Sequence, residues 1–207
     1  MENTVHIFHH TDLDGMGVKI LGMLYAIEKG LPYETHCCGY TLINDEVTRC
    51  LTQSEHPSEI IIGDISVNKD VADMIEQYRK SGKIKVKLYD HHESAMYLNE
   101  FSWATVKITD DEGVPICGTK LLSKDPDFQK FNENVSYFVE TINDWDTWLW
   151  KTKNNKVALE LNILLSILGE NDFTEYTMRL FTEYPRIYET QTLRLVEFGY
   201  EIGRAHV

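Results

Sequence analysis

Apolar side chains along the first ninety residues follow two different spacings, which predict four strands and three helices. Short apolar or β-branched runs, typical of strands, lie at residues 5–8, 35–40, 60–62 and 84–89. Between these runs the apolar residues recur every three or four positions, which predicts helices over residues 16–28, 45–51 and 68–82. This order predicts an α/β fold, in which a parallel sheet is flanked by helices.

The pattern changes after residue 94, where helical spacing becomes dominant. A further strand is predicted at residues 103–109, closed by a turn at residues 110–113. Helices are predicted at residues 131–143, 156–168, 172–183 and 186–203, with Pro185 separating the last two. Since no linker or repeat interrupts the chain, we expect a single domain over residues 1–207, with an α/β core at 1–150 and a helical extension at 151–207.

The composition excludes two classes of protein. With 43% apolar and 11% aromatic residues, the chain has enough material for a full core, so it is not an intrinsically disordered protein. A membrane span is not expected, because no stretch approaches the roughly 18 apolar residues it needs.

The N-terminus and the cysteines indicate the compartment. The N-terminus shows no export signal, and the cysteines (Cys37, Cys38, Cys50 and Cys117) lack a CxxC spacing. We therefore expect a cytoplasmic protein with reduced thiols.

The net charge narrows the range of partners. The chain has 33 acidic and 20 basic side chains, which gives a formal net charge of -13. Such a surface repels a long duplex nucleic acid, whose binding depends on phosphate contacts with basic residues. Short anionic substrates need few such contacts and stay compatible with the charge, especially if metal ions compensate the carboxylates.

Polar clusters follow three of the predicted strands directly. They lie at residues 9–15, 63–66 and 90–92. Because ligands of open α/β sheets bind beyond the carboxyl ends of the strands, we expect the three clusters to meet at one rim of the sheet.

The residue types in these clusters indicate a metal centre. Four carboxylates are expected in one cleft, namely those of Asp12, Asp14, Asp64 and Asp146. Like charges this close need compensation, and two divalent cations supply it. Mixed imidazole and carboxylate ligands suit Mn²⁺, Fe²⁺, Co²⁺ or Zn²⁺ better than Ca²⁺ or Mg²⁺. A pair of such ions roughly 3.5–4 Å apart is typical of in-line attack on phosphorus.

The motifs resemble those of the DHH phosphoesterase superfamily. Its first three motifs match His10-x-Asp12-x-Asp14-Gly15, the lone Asp64 after an apolar strand, and Asp90-His91-His92. The fourth matches the segment from Asn143 to Trp148, and the run Asp146-Thr147-Trp148-Leu149-Trp150 is similar to that of the B-type oligoribonuclease (nano-RNase) group. The likeness covers residues 5–150 with motifs. It implies a metal-dependent phosphohydrolase that cleaves phosphodiester bonds in short oligonucleotides or small nucleotides.

The resemblance also implies a role for each matching residue. A first metal ion would be held by His10, Asp12 and Asp64, and a second by Asp14, Asp64, His91 and Asp146, so that Asp64 bridges the two. The ions are expected to be Mn²⁺. His92 would face the phosphate as a catalytic and substrate-binding residue, and Asp90 would orient His91.

The sequence departs from the family in one respect. Family members carry a second domain with a glycine-rich GGGHxxA-like motif that grips the substrate, and no such motif occurs in this chain. We expect that the clamp is lost, that the sequence is a fragment, or that a homo-oligomer or another partner supplies it. Two alternative functions therefore stay open: a phosphomonoesterase that removes the 3′-phosphate of a nucleotide bisphosphate, and a non-catalytic module that binds nucleotides.

Several candidate residues also have a purely structural interpretation. Asp12 could simply cap a helix. His9 is expected to pack or face solvent, since it points away from His10, and Asp144 competes with Asp146 as the fourth-motif ligand.

The tryptophans and a row of lysines also have structural interpretations. Stacking on bases is open to Trp103, Trp145, Trp148 and Trp150, although packing is the simpler interpretation. The row formed by Lys83, Lys85 and Lys87 is expected to be a solvated or edge-protecting face rather than a phosphate site.

Overall fold

A five-stranded sheet forms the centre of the first half of the chain, and all its strands run parallel. The strands are β1 (Thr4–His9), β2 (Tyr33–Cys37), β3 (Pro57–Gly63), β4 (Lys85–Asp90) and β5 (Ala104–Val106). Their order across the sheet is β2-β1-β3-β4-β5, so β2 and β5 are the edge strands. The computed structural model describes residues 4–53, 57–128 and 132–183. It confirms the predicted α/β fold.

The helices of this first half lie between the strands. They are α1 (Leu13–Lys29), α2 (Ile43–Gln53), α3 (Lys69–Lys80) and α4 (Gly118–Ser123), with 3₁₀ turns at Glu93–Glu100 and Pro126–Phe128. The caps follow the sequence: Asn68 accepts a hydrogen bond from the Val71 N–H at the start of α3, and Gly30 ends α1 in the left-handed conformation.

The core of the sheet is built from β-branched and aromatic residues. Phe8, Ile60, Ile62 and Leu88 are fully buried on the face that carries Val47 of α2 and Ile75 of α3, within one apolar cluster. On the other face α1 approaches β3 so closely that a Cβ on Gly63 would lie 2.7 Å from the Val18 side chain. This close packing fixes α1, and therefore its N-terminus, against the sheet.

The strands end level with one another at their carboxyl ends. His9 of β1 is in register with Gly63 of β3, and Gly63 with Tyr89 of β4. The residues that follow these positions therefore leave the sheet side by side. The register produces the single rim that the sequence predicts.

The chain divides into two compact units, Met1–Gln129 and Lys130–Val207. The described elements of the second unit are α5 (Glu133–Asp146), α6 (Leu149–Lys153) and α7 (Lys156–Glu183). Gly169 has a non-helical conformation inside α7, at the gap between the helices predicted over residues 156–168 and 172–183. The helix predicted at residues 186–203 lies outside the described residues. None of the helices in the described part of the chain combines the length and apolar character that crossing a lipid bilayer requires.

Candidate metal centre

The loop after β1 holds its polar side chains through the start of α1. Asp12 is the N-cap residue, and its Oδ1 accepts a hydrogen bond of 3.1 Å from the Gly15 N–H. Its Oδ2 lies 2.8 Å from Nδ1 of His10. A Cβ on Gly15 would lie 2.2 Å from the carbonyl oxygen of His10, so only glycine permits this tight turn. The capping interpretation of Asp12 is therefore correct, and it leaves Oδ2 directed toward the histidine.

Asp14 is buried and held by backbone groups from far along the chain. Its carboxylate accepts hydrogen bonds of 2.7 and 2.8 Å from the N–H groups of Gly118 and Thr119. The Thr119 hydroxyl donates in turn to the Asp14 carbonyl oxygen at 2.6 Å. These contacts fix the carboxylate where Oδ2 lies 3.7 Å from Nε2 of His91.

Asp64 lies between two histidines of the rim. Its Oδ1 is 3.3 Å from Nε2 of His91, and its Oδ2 is 3.8 Å from Nδ1 of His10. The residue has a φ of 55°, in the left-handed region that costs a non-glycine residue about 1–3 kcal/mol. Such strain at a residue with 1% exposure is typical of functional positions. We name His10, Asp12, Asp14, Asp64 and His91 the rim cluster.

The pKa of Asp12 is lowered by its neighbours in the rim cluster. Burial alone would raise the pKa of Asp12, but the hydrogen bonds shared with Asp64, Gly15 and His10 outweigh it and hold the pKa below its usual value. The carboxylate is therefore ionised at neutral pH. An ionised carboxylate beside another one attracts a cation.

Asp90 accepts hydrogen bonds from both histidines that follow it. Its Oδ1 accepts a hydrogen bond of 2.7 Å from Nδ1 of His92 and another of 2.7 Å from the backbone N–H of His91. The Ser66 hydroxyl donates to its other oxygen. The ring of His92 thus contacts Asp90 directly, and the role of Asp90 in orienting the ring of His91 stays a prediction.

The same contacts explain the acidity of Asp90. Burial raises its pKa, yet the hydrogen bonds from His92 and Ser66 bring the pKa below its ordinary value. Asp90 is therefore an anion, and it favours the tautomer of His92 that has its proton on Nδ1. Nε2 of His92 then points away from Asp90.

Tyr40 is part of the rim, although the sequence analysis did not single it out. Its hydroxyl lies 3.3 Å from Nε2 of His92, and its ring centre lies 4.9 Å from that of His10. Tyr40 comes three residues after the end of β2, so its place beyond a strand end is the signal that could have identified it.

The donor atoms of the rim are close enough to share metal ions. One set is formed by His10, Asp12 and Asp64, and the other by Asp64, Asp90, His91 and His92; within each set the ligand atoms lie within 4.8 Å of one another. Asp64 belongs to both sets. Imidazole nitrogens mixed with carboxylate oxygens are the donors that Mn²⁺, Fe²⁺, Co²⁺ and Zn²⁺ accept, so the residues present fit such ions.

The two aspartates of the fourth motif lie on α5 of the second unit. Asp144 is buried and accepts hydrogen bonds from Nζ of Lys153 at 2.6 Å and from Nδ2 of Asn155 at 3.0 Å. These partners give Asp144 a structural role in its own unit. Asp146 is the last residue of α5, and its role as a metal ligand stays a prediction.

The tryptophans differ in their surroundings. Trp103 is buried against Phe101, and its Nε1 donates to Glu76 at 3.0 Å, which confirms the packing interpretation. In the second unit, Trp145 and Trp150 stack with ring centres 5.6 Å apart, and Trp150 lines a cavity of about 430 Å³. Trp148 is 63% exposed.

The lysine row does not form a phosphate site at Lys87. Nζ of Lys87 lies 2.8 Å from Asp125 and 2.7 Å from Asp127, so its charge is paired. Lys83 and Lys85 are exposed, which confirms the solvated face, whereas edge protection does not apply because β4 has a neighbour on each side. His9 is fully buried, as expected for a packing residue.

A curated protein of related sequence agrees with the family resemblance. No family model matches the chain. It is 31% identical over 174 residues to "Oligoribonuclease NrnB" of Bacillus subtilis (strain 168), an alignment that covers 81% of this chain and 43% of that protein. The chain thus spans less than half the length of this curated relative.

Solved structures with low identity share the fold. An uncharacterised protein from Helicobacter pylori G27 matches with a TM-score of 0.59 and 19% identity, covering 95% of this chain and 63% of the other. CDC45 from Entamoeba histolytica matches with a TM-score of 0.51 and 10% identity, covering 98% and 52%. The sequence similarity to the oligoribonuclease relative agrees with the resemblance of the motifs to the oligoribonuclease group of the DHH phosphoesterase superfamily.

Proposed function

We propose that this chain hydrolyses phosphodiester bonds in short oligonucleotides, with two divalent metal ions, foremost Mn²⁺, held at the rim cluster. The observation that carries the proposal is the meeting of His10, Asp12, Asp14, Asp64 and His91 at the level ends of β1, β3 and β4. The similarity to a protein described as an oligoribonuclease supports the substrate class.

Bound metal ions would supply the charge that the phosphate needs and would lower the pKa of an attacking water. The residues of the chain prepare the site for this chemistry. Asp14 is oriented by the Gly118 and Thr119 N–H groups, and Asp64 is held by its own backbone N–H, which donates to the Tyr89 carbonyl oxygen at 3.0 Å. Ligands fixed in this way do not need to reorganise when substrate binds.

His92 is the residue that we assign to the phosphate or the leaving oxygen. Its Nδ1 donates to Asp90, so Nε2 is free of that bond and is directed toward the Tyr40 hydroxyl at 3.3 Å. Once protonated, Nε2 donates a proton or a hydrogen bond to the departing oxygen, and the Asp90 anion stabilises the imidazolium. Asp90 is thus a positioning residue for His92.

The surface charge agrees with a short substrate. A net charge of -13 penalises each additional phosphate that does not meet the metal site. Two to five nucleotides place most of their charge near the rim, where the cations compensate it.

The test is hydrolysis of a 5′-phosphorylated adenine dinucleotide, followed by chromatography of the products. We expect mononucleotides with added Mn²⁺, and none after dialysis against excess EDTA. The control substrate is adenosine 3′,5′-bisphosphate, since faster release of inorganic phosphate from it would favour the phosphomonoesterase function.

A matched pair of variants shows whether the hydrolysis depends on the rim cluster. Asp64→Asn removes a buried rim carboxylate, whereas Asp111→Asn makes the same change at a carboxylate that is 93% exposed. We expect loss of turnover only in the first. Equal turnover in both variants, or full activity in EDTA, would overturn the proposal.

A further inference from the structure

A second group of metal-ligating side chains lies at the edge of the sheet. It consists of His6 on β1 with Glu34 and His36 on β2, and we name it the edge cluster. His6 precedes His10 by four residues of nearly extended chain, which separates the two positions by roughly 13 Å. The edge cluster is therefore not part of the rim cluster.

The register of the parallel strands brings these side chains to one face. His6 is in register with Glu34, and Phe8 with His36. Registered residues of neighbouring strands, and residues two apart on one strand, share a face of the sheet. The ring of His36 stacks on Phe8 with 4.4 Å between ring centres, which restrains the imidazole.

The distances between the donor atoms match those around a tetrahedral ion. Nδ1 of His6 is 3.2 Å from Nε2 of His36 and 3.5 Å from Oε2 of Glu34, and the remaining separation is 3.9 Å. Zinc with ligand bonds of 2.0–2.1 Å keeps tetrahedral donors about 3.3 Å apart. Small rotations of the side chains are enough to bring all three atoms onto one ion.

Burial and charge favour a cation at this position. Burial lowers the pKa of His6 against the opposing charge of Glu34, and burial likewise lowers the pKa of His36. Neutral imidazoles are the form that binds metal. Glu46 and Arg49 of the adjacent α2 pair with each other, which leaves the Glu34 carboxylate as the charge that attracts a cation.

Glu34 gives a metal ion access to the edge cluster from solvent. Its side chain is 62% exposed, while those of His6 and His36 are mostly buried. An ion can therefore enter from solvent and keep a water molecule as its fourth ligand.

We propose that the edge cluster binds one divalent transition-metal ion, foremost Zn²⁺, which fastens the edge strand β2 to β1. Two imidazoles and one carboxylate suit zinc, and also Co²⁺, Ni²⁺ and Cu²⁺, better than Mg²⁺ or Ca²⁺. This site is separate from the catalytic proposal and does not depend on it.

The test counts zinc ions bound to the whole chain at controlled free Zn²⁺, by equilibrium dialysis and elemental analysis. The variants are Glu34→Gln and His36→Gln, with Glu112→Gln as the matched control on an exposed turn. We expect His36→Gln to bind one ion fewer per chain and Glu34→Gln to bind that ion at least about tenfold more weakly. Glu112→Gln should bind as many ions as the unaltered chain. The rise in melting temperature caused by Zn²⁺ should be smaller in both edge variants.

The opposite result is equally clear. If Glu34→Gln and His36→Gln bind as many ions as the control, with the same zinc-dependent melting temperature, the two histidines only share a hydrogen bond and the proposal is wrong. If His36→Gln does not fold, Glu34→Gln decides, because its carboxylate is exposed and its loss leaves no cavity. Hydrolysis of the dinucleotide by Glu34→Gln should equal that of the unaltered chain, so either proposal can fail without the other.

Discussion

The rim cluster and the edge cluster both combine imidazole and carboxylate groups, but the backbone holds them differently. At the rim, the Asp14 carboxylate accepts hydrogen bonds from two backbone N–H groups, and Asp64 has a left-handed φ of 55°. At the edge, His6 and His36 extend from regular strands, and the carboxylate of Glu34 is exposed.

This difference separates two uses of a metal site. A catalytic site needs ligands whose positions are fixed before substrate binds, and backbone contacts and local strain achieve this. A site that only stabilises a strand can tolerate an adaptable, exposed ligand. We therefore expect equal substitutions to have unequal effects in the two clusters.

The largest effect is expected for Asp64→Ala. Because Asp64 contributes to both sets of rim donors, we expect the bound metal to fall and turnover to drop by about 10³-fold or more, the upper end of what losing one transition-state contact costs. Glu34→Ala at the edge should leave turnover unchanged. The measurement is dinucleotide hydrolysis together with elemental analysis at controlled Mn²⁺. Retention of both rim ions by Asp64→Ala would contradict its bridging role.

His92→Ala is expected to separate turnover from metal binding. We expect the rim ions to stay bound while kcat falls roughly 10²-fold, as for the loss of one donor in the transition state. His36→Ala is the matched change at the edge and should keep the kcat of the unaltered chain. Loss of a rim ion in His92→Ala would show instead that this histidine is a metal ligand.

A pair of glycines tests the packing of the rim. A Cβ on Gly118 would lie 2.9 Å from the backbone N of Asp64 and 3.1 Å from Oδ2 of Asp14, whereas a Cβ on Gly39 meets no atom within 4 Å. Gly118→Ala should lower the free energy of unfolding by about 1–3 kcal/mol and reduce turnover, since the backbone must shift. Gly39→Ala should be neutral in urea denaturation. Equal stability of the two variants would show that the rim is looser than its contacts indicate.

The smallest effect is expected for Tyr40→Phe. The lost hydrogen bond to His92 is a neutral one and contributes about 0.5–1.5 kcal/mol, so kcat should change only a few-fold. Tyr40→Ala, which also removes the ring that contacts His10, should have a larger effect. A comparison of kcat and KM for the two variants distinguishes the hydroxyl from the ring.

Local patterns made the rim predictable. The ends of the strands near His10, Asp64 and Asp90 could be identified because each apolar run stops at a polar residue, and the level strand ends bring these residues to one rim. The roles of the individual ligands, and Asp146 among them, rest on the resemblance and stay predictions.

Contacts between distant segments could not be predicted in this way. Gly118 and Thr119 reach Asp14 across more than a hundred residues, and periodicity carries no information on such pairs. The hydrogen bond from the ring of His92 to Asp90 depends on how the loop after β4 turns, which periodicity does not predict. The length of β5 was overestimated, since only Ala104, Thr105 and Val106 are in register with β4.

The hydrogen bonds from the start of α4 to Asp14 can form only late in protein synthesis. Gly118 is 104 residues from Asp14, so at roughly 5–20 residues per second a ribosome needs on the order of 5–20 s to make the donor after the acceptor. In that interval β1 and α1 can form, yet the Asp14 carboxylate lacks the two backbone donors that hold it in the finished fold. The nascent chain therefore acquires β1 and α1 before the Asp14 carboxylate is fixed, so the rim is completed late in folding.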